Sequence, residues 1–110
     1  MHRVRQRDLP LSGNSHDFVG ADQGDVQLSA FLFDGGPGSG PKPHRHPYDE
    51  VLFVREGRAR YVVDGEEFEA GAGDILVVKA GEVHSFTNIG DTRLVQIDVH
   101  LSSTFITEWV

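Results

Sequence analysis

Glycine and proline interrupt this chain so often that a long helix has no room to form. Thirteen glycines and five prolines are spread over 110 residues. The runs between them are short, alternating and rich in β-branched residues, which is the pattern of an all-β sandwich or barrel. Strands are predicted over Val26–Phe33, Val51–Arg55, Arg58–Val63, Glu66–Glu69, Ile75–Val78, Val83–Ile89 and Arg93–Leu101. The Ile75–Val78 run reads as a short buried strand. Asp64-Gly65 separates two of the runs by two residues, and that pair suits the two positive-φ positions of a type I′ hairpin turn. The breaker-rich stretch from Gly35 to Pro41 reads as a loop. The tail, Thr104 to Val110, is compatible with a helical turn or an edge strand.

A chain of this length is sized for one domain, residues 1–110, with residues 1–24 as an N-terminal strand or arm. Its core is modest, so pairing into a homodimer would help it. Apolar residues make up 38% and charged residues 25%, a soluble globular balance. There are no cysteines, which excludes disulfides and thiolate zinc sites. The formal charge is −7, and only Arg3, Arg5 and Arg7 form a small basic group. That balance argues against nucleic acid as a partner. No apolar run approaches the roughly 20 residues of a membrane helix. The N-terminus lacks the apolar stretch of a secretory signal, so the expected location is the cytoplasm.

Any metal must therefore be held by nitrogen and oxygen. His44 and His46 are two residues apart, so an extended backbone turns both to one side. Glu50 keeps their parity across the bend expected at Pro47. His84 sits on a later predicted strand that a barrel would bring alongside. Three imidazoles and a carboxylate suit one divalent transition ion (Fe, Mn, Zn, Ni or Cu) and leave one or two coordination positions open. With such an ion the set carries a net +1, which favours an anionic oxygen ligand.

These residues also stand in a familiar frame. Gly38, five residues, His44-x-His46, three residues, Glu50, six residues and Gly57 resemble the first motif of the cupin superfamily. Gly73, Gly81, His84 and Asn88 resemble its second motif in order and spacing. One fixed position departs: Lys79 stands where that family has proline. The two motifs span 38–57 and 73–88. The resemblance, to the small single-barrel members, implies a jelly-roll-like antiparallel β-barrel, commonly a homodimer. It also implies that His44, His46, Glu50 and His84 are the metal ligands.

Other residues admit two readings. Leu94, Gln96, Asp98 and His100 share one face of the last long strand; Val95, Ile97, Val99 and Leu101 share the other. Either the polar face meets solvent, or it lines the barrel beside the metal, where an Asp-His pair could relay protons. His100 and Tyr48 are the candidate acid-base residues. Phe86 has the parity of His84 and should face the pocket. Asn88 is expected to fix a turn, and His2 and His16 to lie on the surface. The leading functional expectation is a metal-dependent enzyme acting on a small oxygenated or carboxylate substrate, with dioxygenase-like chemistry first. The alternatives are a non-catalytic ligand-binding or sensing module, and a sugar isomerase or epimerase, which pocket carboxylates and a Lys79 facing the metal would favour.

Overall fold

The computed structural model describes residues 1–110 and contains no α-helix. After a 3-10 turn at Gln6–Asp8 come eleven strands. They are β1 (Leu11–Ser12), β2 (Ser15–Phe18), β3 (Ser29–Gly35), β4 (His44–Arg45), β5 (Glu50–Glu56) and β6 (Arg58–Val63), followed by β7 (Glu66–Gly71), β8 (Ile75–Val78), β9 (His84–Asn88), β10 (Leu94–His100) and β11 (Glu108–Trp109). They form two antiparallel sheets, ordered β1-β2-β3-β10-β5-β8 and β11-β4-β9-β6-β7. The result is jelly-roll-like, a barrel whose wall is not closed by one continuous ladder.

Two glycine positions show why the chain turns where it does. Asp64 and Gly65 have φ of 48° and 82°, so the β6–β7 hairpin closes on two left-handed residues, with Val63 paired to Glu66. Gly57, between β5 and β6, has φ of +83°, and a Cβ there would lie 2.3 Å from the Arg93 carbonyl oxygen. Only glycine fits that approach.

The interior is divided. Phe33, Leu52, Val54, Ala59, Tyr61, Phe86 and Leu94 belong to one apolar cluster. Burying each large member contributes on the order of 1.5–3 kcal/mol. The other part of the interior is polar: His44, His46, Glu50, His84, Asp98 and His100 are all buried. Strand β10 runs through both. It lies between β3 and β5, and its face passes from Leu94 through Gln96 and Asp98 to His100, each 5% exposed or less.

Several expectations change here. The polar face of β10 points inward, and Val95, Ile97 and Val99 are only half-buried. The run at Ile75–Val78 is a strand but not a buried one: β8 is a sheet edge, with Ile75 60% and Val77 61% exposed. Four consecutive apolar residues suggested burial on both faces, yet only one face meets the core. The strand expected from Val26 begins at Ser29 and runs on to Gly35. The tail ends in an edge strand, β11, paired with β4. Within residues 1–24, β1 and β2 extend the six-stranded sheet as a hairpin.

Candidate metal centre

Strand register places the donors. His44 and His84 sit opposite each other on β4 and β9, and Glu50 sits opposite His100 on β5 and β10. Residues directly opposite in an antiparallel pair project to the same face. The chain leaves β4 at His46, so the His-x-His spacing delivers both imidazoles to the interior. The ring centroids are 5.0 Å apart for His44 and His46, 4.3 Å for His44 and His84, and 5.2 Å for His46 and His84.

Main-chain carbonyls fix the tautomer of all three. Nδ1–H of His44 donates to Lys42 O at 2.7 Å, that of His46 to Ile106 O at 2.8 Å, and that of His84 to Glu82 O at 2.9 Å. A carbonyl can only accept, so Nδ1 carries a proton and Nε2 is the nitrogen left to ligate when the ring is neutral. Two of these Nε2 atoms meet Glu50. Its Oε1 lies 3.0 Å from His84 Nε2 and 3.2 Å from His46 Nε2.

Electrostatics follows from this crowding. Burial pushes His44 down to about 4, so it is a neutral donor at physiological pH. Burial alone would raise the Glu50 carboxyl. The imidazoles of His100, His46 and His84 outweigh it and hold Glu50 well below the usual carboxylate range. Burial opposes a charge on His84, but contact with Glu50 wins and raises it.

A divalent ion fits this donor set. His44, His46 and His84 have ligand atoms within 4.8 Å of one another, as do His46, Glu50 and His100. Nε2 of His46 and Nε2 of His100, though near Glu50, are buried and have no hydrogen-bond partner. An orphaned lone pair facing two other imidazoles and a carboxylate is what a metal would satisfy.

Tyr48 and His100 are brought together with the four. The Tyr48 hydroxyl lies 2.7 Å from His100 Nδ1 and accepts the Ile106 N–H at 3.2 Å. His100 Nε2 lies 3.4 Å from Glu50 Oε2. A protonated Nε2 facing the carboxylate is attractive and a bare one is repulsive, so Tyr48 donates its O–H to Nδ1. That tautomer turns His100 Nε2–H toward the Glu50 carboxylate as a charge contact.

Some participants escape a reading of side-chain patterns. Ile106 serves through its backbone, which carries no signature in the sequence. Tyr61 donates to Gln96 Oε1, and Gln96 Nε2 donates to Asp98 Oδ1 at 2.7 Å. Burial, and then the charge of Glu50, keeps the Asp98 carboxyl well above its ordinary range. Phe86 faces the pocket as expected. Asn88 fixes a turn, donating to Gly35 O and Thr92 O and accepting from Gly90 N–H. Lys79 faces away from the site: its side chain is 67% exposed and paired to Asp49 at 2.7 Å. His2 and His16 do not reach the cavity.

The donors open onto a cavity of about 380 Å³, walled in part by Phe31, Phe33, Phe86 and Trp109. A family model described as a cupin domain matches residues 31–100. The chain belongs to the cupin family. Among similar cupins and proteins, polyketide synthase CurC of Streptomyces cyaneus is 35% identical over 85 residues, covering 76% of this chain and 52% of that protein. An oxalate oxidase superposes with a TM-score of 0.81 at 19% identity, over 98% of this cupin and 62% of that chain. Bacillus subtilis oxalate decarboxylase, described for its Mn(II) centres, gives 0.81 at 24% identity, over 94% and 30%. At those identities the likeness is one of fold. The chain spans about half the length of the curated relative. No helix is long and apolar enough to cross a membrane.

Proposed function

We propose that this cupin is a metal-dependent enzyme that holds one divalent transition ion on His44, His46, Glu50 and His84. It acts on a small oxygenated or carboxylate substrate, with dioxygenase-like chemistry as the first expectation. The observation that carries the reading is the grouping of His44, His46 and His84 at a cavity, joined through His46 to the Glu50 carboxylate. The Mn(II) centres of a structural neighbour are in keeping with it. An ion held there supplies Lewis acidity toward a substrate oxygen and, when redox-active, a route for electrons.

The chain's own residues do the rest. Carbonyls of Lys42, Glu82 and Ile106 keep the three imidazoles in the ligating tautomer. His100, held by Tyr48, orients the Glu50 carboxylate. The aromatic walls exclude water, which strengthens every charge interaction within. With Lys79 outside, one of the two features that would favour the sugar isomerase or epimerase alternative is missing. We also propose a homodimer through the apolar edge at β8, where Ile75 and Val77 are exposed. A monomer in sedimentation at micromolar concentration would refute that.

The deciding experiment is elemental analysis of untagged protein purified without nickel resin, beside a His46→Ala control. Near-stoichiometric iron, lost in the control, supports oxygenase chemistry. Manganese or zinc moves the assignment to other metal-dependent reactions. No metal after reconstitution refutes the site and leaves a non-catalytic binding module.

A further inference from the structure

The cavity's charge and walls narrow what this centre can take, and the narrowing rests on the metal-site reading above. None of the ten lysine and arginine side chains lines the cavity. Five of them are spent in exposed ion pairs with carboxylates: Arg45, Arg58, Arg60, Lys79 and Arg93. Inside, the charged and chargeable groups are the histidines, Glu50 and Asp98. Three neutral imidazoles, one carboxylate and a divalent ion sum to +1, which balances one negative charge and no more. A second carboxylate on a ligand would lie in the cavity with no cation to meet it, beside Glu50. Burying such a charge unpaired is strongly unfavourable.

Shape points the same way. About 380 Å³ is at the lower end of the range for drug-sized ligands and far more than an anion of a few atoms fills. The walls are apolar and fixed. Phe33 packs edge-to-face on Phe86 at 5.1 Å, and Phe31 stacks on Phe105 at 3.9 Å. Trp109 stands at the rim, 5.2 Å from the His44 ring. Flat aromatic surfaces held in place by their neighbours favour a planar ring on the ligand.

We propose that this site takes a singly charged, ring-bearing oxygen chelator, such as an aryl α-oxo acid or enolate, and not a small dicarboxylate. The cavity-facing Asp98 carboxyl is then a polar partner for an uncharged oxygen. This would set the chain apart from the oxalate oxidase and oxalate decarboxylase with which it shares a fold.

Three probes with related chelating heads separate charge from body: benzoylformate has a ring and one charge, glyoxylate one charge and no ring, oxalate two charges. The readout is calorimetric titration of the full chain loaded with Mn(II), with metal retention checked after each run. Benzoylformate should bind at least tenfold more tightly than either of the others. Trp109→Ala, a change at an exposed rim position, should reduce that preference at least threefold while leaving glyoxylate unaffected. Asn14→Arg, which adds a cation at the cavity mouth, should improve oxalate. Oxalate binding as tightly as benzoylformate to the parent protein overturns the charge argument, and glyoxylate doing so overturns the ring argument; in both cases the metal site stands. If none of the three binds while the metal is retained, the open metal centre itself is refuted, and this proposal with it.

Discussion

Tyr48→Phe isolates the contact on which the role of His100 depends. The substitution keeps the ring and removes one oxygen. Two groups lose a partner: the Ile106 N–H, at 3.2 Å, and His100 Nδ1, at 2.7 Å. The first lies near the surface and turns to water. The second belongs to a residue 1% exposed and has no replacement. A buried polar group left unpaired costs about 1–3 kcal/mol. Unfolding entropy near 2.1 cal/mol/K per residue gives roughly 0.23 kcal/mol/K for a chain of 110 residues, so Tm should fall by about 4–13 °C.

The more telling effect is on the metal. Without the hydroxyl, nothing decides which His100 nitrogen carries the proton, and Nε2–H is no longer held toward Glu50 Oε2. Loss of a partner that orients a ligand costs about 10–100-fold in metal affinity. Competition against a calibrated chelator reads the affinity, and thermal denaturation of metal-stripped protein reads the stability. A lower Tm with unchanged metal affinity would show that Tyr48 is packing only and would refute the orienting role of His100. No change in either would mean that the hydrogen bond contributes nothing.

Further outcomes follow from other buried contacts. The Asp98 carboxyl is held above its ordinary range, so the folded chain keeps a proton that the unfolded chain releases. Its contribution to stability is therefore present at low pH and lost as pH climbs through the raised value. In urea unfolding of metal-stripped protein, Asp98→Asn should gain on the parent at about pH 8.5 relative to about pH 4; equal behaviour at both would contradict the assignment. Gly57→Ala forces a side chain into φ of +83° and against the Arg93 carbonyl. The backbone strain alone is on the order of 1–3 kcal/mol, and a denaturation midpoint matching the parent's would show that the β5–β6 turn can rearrange. Lys79→Ala should leave metal affinity unchanged, because that side chain points to Asp49 on the outside. A measurable loss would place it nearer the site than its ion pair allows.

Much of this arrangement was legible in the chain. The breaker pattern predicted strands, Asp64-Gly65 predicted the tight hairpin, and the spacing of His44, His46, Glu50 and His84 predicted one cluster. β10 was not legible, and the reason is physical. A strand reading Leu-Val-Gln-Ile-Asp-Val-His ordinarily turns its aliphatic face inward, because burying Gln, Asp and His without partners is costly. Here the partners are waiting: Tyr61 for Gln96, Gln96 for Asp98, and Tyr48 and Glu50 for His100. Each lies on another element or beyond the nearest neighbour, so alternation along one strand carries no trace of it. The polar face can be inside only because a second polar set already occupies that interior. Tyr61, Tyr48 and Glu50 are thus the residues that decide which way β10 faces. A chain that keeps the β10 sequence but loses Tyr61 and Tyr48 should find the same strand harder to bury.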